Sequence, residues 1–127
     1  MTWTRLLLTW LLLAVLMPVN GIVREGIFKR WMPERAAETL SVATGIAVIL
    51  TVTRWLFRVP ADESTARLAA QAAVLVLLTV AYEFAIGRSG GRPWRELAGH
   101  YAIWRGELWP LVLLALAATP WLWRGRG

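Results

Sequence analysis

Long apolar stretches without charge constrain the fold of this chain more than any other feature. Between Leu6 and Val23 there are 18 consecutive uncharged residues, close to the length that a helix needs to cross a bilayer. Of the 127 residues, 57% are hydrophobic, and a globule of this size exposes too much surface to hide them. They form continuous blocks instead of following amphipathic spacing. The sequence therefore predicts an all-α membrane protein that crosses the bilayer several times.

Four such blocks predict four transmembrane helices in a single domain, 1–127. The predicted spans are about 3–23, 36–57, 66–87 and 108–123. Eight of the nine tryptophans lie at the ends of these blocks, as is typical of membrane–water interfaces. A cleaved signal peptide is the alternative for the first block, because Arg5 precedes a leucine-rich core. No small-x-small cleavage site follows it, however, so we expect a span.

Residues 93–105 follow a different pattern. Trp94, Leu97, Tyr101 and Trp104 recur at helical spacing, and polar residues lie opposite them. This arrangement is typical of a short helix in the headgroup plane. We therefore expect a short interfacial amphipathic helix between the third and fourth spans.

The charged residues indicate which partners to expect. The net charge is +6, and the 14 Lys and Arg lie mainly at the block ends, where membrane topology and anionic headgroups favour them. We therefore expect membrane lipids as partners, together with a second copy or another membrane protein, and no nucleic acid. The chain has no Cys and one His, which excludes disulfides and leaves no usual metal-ligand set. No cofactor or metal is expected.

Polar side chains interrupt the blocks near one end of the predicted bundle. Asn20 and Arg24 are four residues apart and share a helix face, whereas Glu25 points about 100° away. An up-down bundle places these residues on the same side as Glu83, near the end of the third span, and the interfacial helix lies on that side too. The predicted cluster consists of Asn20, Arg24, Glu25, Glu83, His100, Tyr101, Arg105 and Glu107.

Two interpretations of this cluster are open. A carboxylate inside a span is costly unless it is paired, and Arg24 is the predicted partner of Glu83. Since Glu83 lies only about 6 Å inside the predicted helix end, we favour a structural clamp between helices; transport sites usually lie nearer the midplane. The alternative is a proton, ion or headgroup site. His100 is predicted to be an exposed interfacial residue, with a role in acid–base chemistry as the alternative.

A stripe of small and polar residues marks the second block. Ser41, Thr44, Val48 and Thr51 recur at helical spacing, and Ser41 and Gly45 form a small-xxx-small pair. Such pairs let another helix approach closely. We therefore expect this stripe to be a packing face and not a conduit.

Three short segments carry a resemblance to a known family. They are NGIVRE at 20–25, EF at 83–84 and YAIWRGELW at 101–109. Together they resemble a family of small bacterial four-span membrane proteins. The resemblance implies a multi-pass protein of the bacterial cytoplasmic (inner) membrane and implies no activity.

No enzyme motif occurs in the chain: HExxH, GxSxG, P-loop and paired-Asp patterns are missing. A lipid-modifying enzyme would need Glu83, His100 and Tyr101 in one cleft. The predicted function is therefore a non-enzymatic accessory or structural component of the membrane. The alternative is a small oligomeric transporter or channel that uses Glu83 and Arg24.

Overall fold

The computed structural model describes residues 1–91, 93–99 and 108–125, and the regular secondary structure in these ranges is helical. The predicted all-α class is confirmed. The elements in chain order are α1 (Trp3–Val23), a π-helical segment (Arg24–Phe28), α2 (Lys29–Trp31), α3 (Glu34–Leu56), α4 (Thr65–Ser89), α5 (Trp94–Gly99) and α6 (Trp109–Leu122).

Within the described ranges, three helices are long and apolar enough to cross a membrane. They are the continuous helix Trp3–Trp31 of 29 residues, α3 of 23 residues and α4 of 25 residues. Helix α6 is apolar but has only 14 residues, which corresponds to about 21 Å at 1.5 Å per residue. It is therefore shorter than a typical hydrocarbon core.

The first helix extends beyond the predicted span. The sequence predicted a loop after residue 23, but the chain stays helical to Trp31 through the π-helical segment. The break comes at Pro33, because a proline disfavours the helical conformation of the residue before it. Met32 is accordingly extended, with φ −149° and ψ 161°.

Side-chain contacts show how the long helices run. Arg5 contacts Leu56, and Asn20 contacts Ser41, so α1 and α3 are antiparallel. Helices α1 and α4 are parallel, because Trp10 contacts Thr79 and Ala14, further along α1, contacts Tyr82, further along α4.

Helix α6 packs against α3 and α4. The indole of Trp123 donates a hydrogen bond to Thr53 near the end of α3, at 2.8 Å. The backbone N–H of Gly125 donates to Val59, in the connection after α3. The end of α6 therefore lies beside the end of α3 and the start of α4.

Burial of apolar side chains is divided between a narrow core and a large outer surface. Among the large hydrophobic residues on the outside are Val15, Ile22 and Leu77, each more than 60% exposed. Soluble monomers rarely expose contiguous apolar surface of this extent, so the outer face indicates a membrane-embedded protein. The buried core includes Leu6, Leu13, Ile49, Phe57, Val59, Leu68, Leu75, Val112 and Leu116.

Candidate functional site

A proline inside α1 creates the first polar contact between helices. Pro18 has no N–H, so the carbonyl of Ala14, four residues earlier, lacks its helical donor. The hydroxyl of Tyr82 on α4 donates a hydrogen bond to that carbonyl at 2.7 Å. In an apolar environment an unpaired carbonyl is costly. A side chain of the neighbouring helix therefore supplies the hydrogen bond that the backbone of α1 lacks.

One turn earlier, Trp10 joins the same two helices. Its indole N–H donates to the hydroxyl of Thr79 at 3.0 Å, and that hydroxyl donates to Leu75 within α4 at 2.7 Å. The Trp10 and Tyr82 rings pack edge to face, with centroids 5.7 Å apart and planes at 84°, a favourable aromatic geometry. Two linked hydrogen bonds and a ring contact therefore connect α1 to α4.

A small cavity lies beside these residues, between α1, α3, α4 and α6. Its volume is about 30 Å³, and its lining includes Trp10, Thr79, Tyr82, Glu83 and Trp109. This volume corresponds to roughly two water molecules, given about one probe sphere for each. The cavity is therefore large enough for water and too small for an organic substrate.

The contact between α1 and α3 is of another kind. The Asn20 side-chain amide donates to the backbone carbonyl of Ser41 at 3.0 Å. A β-carbon added at Gly45 would lie 3.0 Å from Met17 Cε and 3.2 Å from Asn20 Nδ2. Ser41 and Gly45 are both buried, which confirms the prediction that this small-residue pair admits a neighbouring helix. The predicted packing stripe is wrong at Thr51, which is exposed, and the buried face of α3 continues through Ile49 and Thr53 instead.

Arg24 forms its ion pair with Glu25 at 3.6 Å. Of the ion pairs between described residues, none joins Arg24 to Glu83, the partner expected from the sequence. The sequence prediction assumed that Arg24 lies on a regular α-helix. Helix α1 ends at Val23, however, and the π-helical segment starts at Arg24. Glu25 also pairs with Lys29 at 3.0 Å, and Lys29 pairs with Glu34 at 3.6 Å. Arg24 and Lys29 are therefore both paired locally.

Glu83 lies deeper than the sequence predicted. It is half-buried on the lining of the cavity, and α4 continues to Ser89, six residues beyond it. At 1.5 Å per residue its backbone position is about 9 Å inside the helix end. The other predicted members, His100, Tyr101, Arg105 and Glu107, lie outside the described residues.

The start of the predicted interfacial helix packs on the end of α4. Trp94 stacks on Phe84 with centroids 5.4 Å apart, and the guanidinium of Arg88 lies 5.1 Å from the centre of the Trp94 ring. Helix α5, which contains Trp94, covers only Trp94–Gly99 of the predicted 93–105. Pro93 precedes the helix, and residues 100–105 of that prediction lie outside the described residues.

Sequence reasoning missed the roles of Trp10 and Tyr82. Pro18 was the available signal for Tyr82, because a proline in a spanning helix leaves a carbonyl that another group must satisfy. For Trp10 the signal was its place inside a span, away from the interfaces where the other tryptophans lie.

Comparison with known proteins leaves the family of this chain open. No family model matches the chain, and neither a curated protein sequence nor a solved structure is similar to it. The resemblance to small bacterial four-span proteins therefore stays a prediction. Among the described residues, no group of three or more His, Cys, Asp or Glu side chains is placed to hold a metal ion.

Proposed function

We propose that the chain is a four-span protein of the bacterial cytoplasmic membrane that acts as a non-enzymatic accessory or structural component. The observation that carries this proposal is the pairing of polar groups between the helices. The Trp10 indole, the Tyr82 hydroxyl and the Asn20 amide each bond to a neighbouring helix, and the adjoining cavity holds only about 30 Å³. Polar groups arranged in this way hold helices together.

The packing of α6 supports a fourth span. It lies along α3 and α4, and Trp109 and Trp123 mark its two ends. Pro120 removes the donor for the Leu116 carbonyl, and the Thr119 hydroxyl donates to that carbonyl at 2.7 Å. In an apolar solvent, backbone carbonyls must find their hydrogen-bond donors within the protein. The short helix would match the bilayer by local thinning and by its flanking tryptophans.

Cysteine labelling tests the four-span topology directly, because the chain has no Cys of its own. Single cysteines replace Asp62 and Gly125 near one end of the bundle, and Gly26 and Gly91 near the other. A membrane-impermeant maleimide applied to sealed vesicles should label one pair and spare the other, and inverted vesicles should reverse the result. Labelling of Asp62→Cys and Gly125→Cys from opposite sides would contradict a fourth span.

One observation favours a second candidate function, an oligomeric transporter or channel. Glu83 lies on the lining of a cavity with room for water, and ionisable groups inside a membrane often mark ion or proton pathways. Four helices enclose little volume, so such a pathway would be narrow or would form between copies.

Proton and monovalent-cation flux in reconstituted liposomes separates the two candidates. The accessory function predicts wild-type flux equal to that of empty liposomes. A flux that Glu83→Gln abolishes, with the thermal unfolding temperature unchanged, would replace the accessory function by the transporter. Glu25→Gln is the matched control, because it removes a carboxylate that lies outside the cavity lining.

A further inference from the structure

Three arginines lie at the end of the bundle where α1 begins and α3 ends. Helix α3 stops at Leu56, and Phe57 turns into an extended conformation with its side chain fully buried. Arg5 comes from the first turns of α1, while Arg54 and Arg58 flank the end of α3. All three are exposed.

Backbone carbonyls at the end of α3 hold two of these side chains. Nη1 of Arg5 donates to the Leu56 carbonyl at 2.8 Å. Nη1 of Arg58 donates to the Trp55 carbonyl at 3.2 Å and to the Phe57 carbonyl at 3.5 Å. The last carbonyls of a helix lack helical donors, so both guanidinium groups lie over successive carbonyls of one helix end. The two guanidinium groups are therefore held on carbonyls of neighbouring residues at one helix end.

The guanidinium groups of Arg5, Arg54 and Arg58 still have positive charge and N–H donors available for a ligand. Among the described residues, no carboxylate forms an ion pair with Arg5, Arg54 or Arg58. On the same side of the bundle, Glu63 is occupied by Arg67 at 3.3 Å and by the Met1 ammonium at 3.4 Å. A guanidinium carries five N–H donors in a planar fork, and each of the two capping arginines uses only one nitrogen on the carbonyls.

The surroundings of the cluster are those of a membrane interface. Trp55 is 71% exposed beside Arg54, and the Arg54 guanidinium lies 5.6 Å from the centre of the Trp123 ring. On α1, Leu8 and Leu12 follow Arg5 at helical spacing, and both are exposed. Tryptophan at the headgroup level with an apolar strip beneath is the pattern of a lipid-facing edge.

We infer that Arg5 and Arg58 bind the phosphate of an anionic phospholipid of the phosphatidylglycerol class, and that Arg54 adds positive charge at the same end of α3. Guanidinium forks match phosphate oxygens in geometry and charge, and basic clusters at the ends of spanning helices select anionic headgroups. An acyl chain of the lipid lies along Leu8 and Leu12. This inference uses the membrane insertion of the proposed function but does not depend on the accessory role.

Lipid titration of the purified protein in neutral detergent tests the inference. Native mass spectrometry measures binding of phosphatidylglycerol and of phosphatidylcholine with the same acyl chains. In the double variant Arg5→Gln, Arg58→Gln, each amide keeps a donor for the carbonyl but loses the charge. We expect phosphatidylglycerol affinity to fall about fivefold for each arginine removed, and so about 25-fold in the double variant. Phosphatidylcholine binding should not change.

Arg30→Gln is the matched control, since Arg30 is an exposed arginine at the end of α2. Phosphatidylglycerol binding that survives in the double variant, or that Arg30→Gln lowers equally, would overturn the inference. If soluble glycerol phosphate competes with an affinity equal to that of the lipid, the site binds free phosphate and not specifically the lipid. That result would overturn the inference too.

If the double variant does not fold, Arg58→Gln alone should weaken phosphatidylglycerol binding about fivefold, and unchanged binding would overturn the inference. Cysteine labelling that shows four spans, together with no phosphatidylglycerol preference, would remove the lipid site alone. Labelling that contradicts four spans would remove the topology of the proposed function, whatever the lipid result.

Discussion

Helix α1 contacts α3 and α4 in opposite ways. Against α3 it packs on the small residues Ser41 and Gly45, and the Asn20 amide reaches the backbone of that helix. Against α4 the backbones approach less closely, and two aromatic side chains, Trp10 and Tyr82, bridge the gap. The first contact depends on the absence of side-chain volume, and the second depends on hydrogen bonds carried by large rings. The two seams should therefore respond to different substitutions.

The largest effect is expected where volume is added to the α1–α3 seam. Gly45→Leu places a side chain where a β-carbon alone would lie 3.0 Å from Met17 and 3.2 Å from Asn20. Overpacking of this kind should cost about 2 kcal/mol or more, measured as the free energy of unfolding in mixed detergent micelles. Ala43→Leu, on the exposed side of α3, is the control and should have little effect. Equal losses in both variants would mean that the seam is not close-packed.

A smaller effect is expected on the α1–α4 seam. Tyr82→Phe leaves the Ala14 carbonyl without the donor at 2.7 Å and should cost about 1 kcal/mol, near the upper part of the range for hydrogen bonds between membrane helices.

The proline provides the control for this prediction. Pro18→Ala restores an N–H four residues after Ala14, so Tyr82→Phe should cost much less in that background. Unfolding of the two single variants and the double variant measures this coupling. A Tyr82→Phe cost that is the same with and without Pro18 would show that the hydroxyl does not compensate for the proline.

Next in size is the Asn20 hydrogen bond. Asn20→Ala should lower the free energy of unfolding by about 0.6 kcal/mol, the average for such interhelical bonds. Thr44→Ala is the comparison, because the Thr44 hydroxyl donates only within its own helix, to Leu40. If both variants lose the same stability, the Asn20 bond adds nothing specific to the seam.

The smallest effect is expected for Arg24. Its ion-pair partner Glu25 is 58% exposed, and exposed pairs contribute little. Arg24→Gln should change the unfolding free energy by less than about 0.5 kcal/mol, so neither seam of α1 would depend on this charge. A loss as large as that of Tyr82→Phe would restore the clamp that the sequence predicted.

Much of the fold was predictable because local composition decides it. Uncharged runs near 20 residues cannot be buried in a small globule, so helical blocks and a membrane environment follow from the sequence. The Ser41–Gly45 pair was predictable for a similar reason: small residues four apart lie on one face of any α-helix. The number of spans stays a proposal, because α6 is shorter than the three long helices.

Partner choice between polar side chains was less predictable. The Arg24–Glu83 pair was inferred from helix ends that share one side of the bundle, yet Arg24 lies at the start of a π-helical turn and pairs with Glu25. Hydrogen-bonding geometry acts over about 3 Å, whereas sequence spacing locates a side chain only to within a turn of helix. The sequence could therefore indicate the end of the bundle but not the pair.

Pro18 separates what the sequence determined from what the tertiary structure decided. By itself the sequence determined that one carbonyl of α1 would lose its donor, because proline has no N–H at any position in any fold. Only the tertiary structure decided that Tyr82, 64 positions along the chain, supplies the replacement, because that depends on how α4 lies beside α1. Covalent chemistry sets which groups need partners, and packing sets which partners they find.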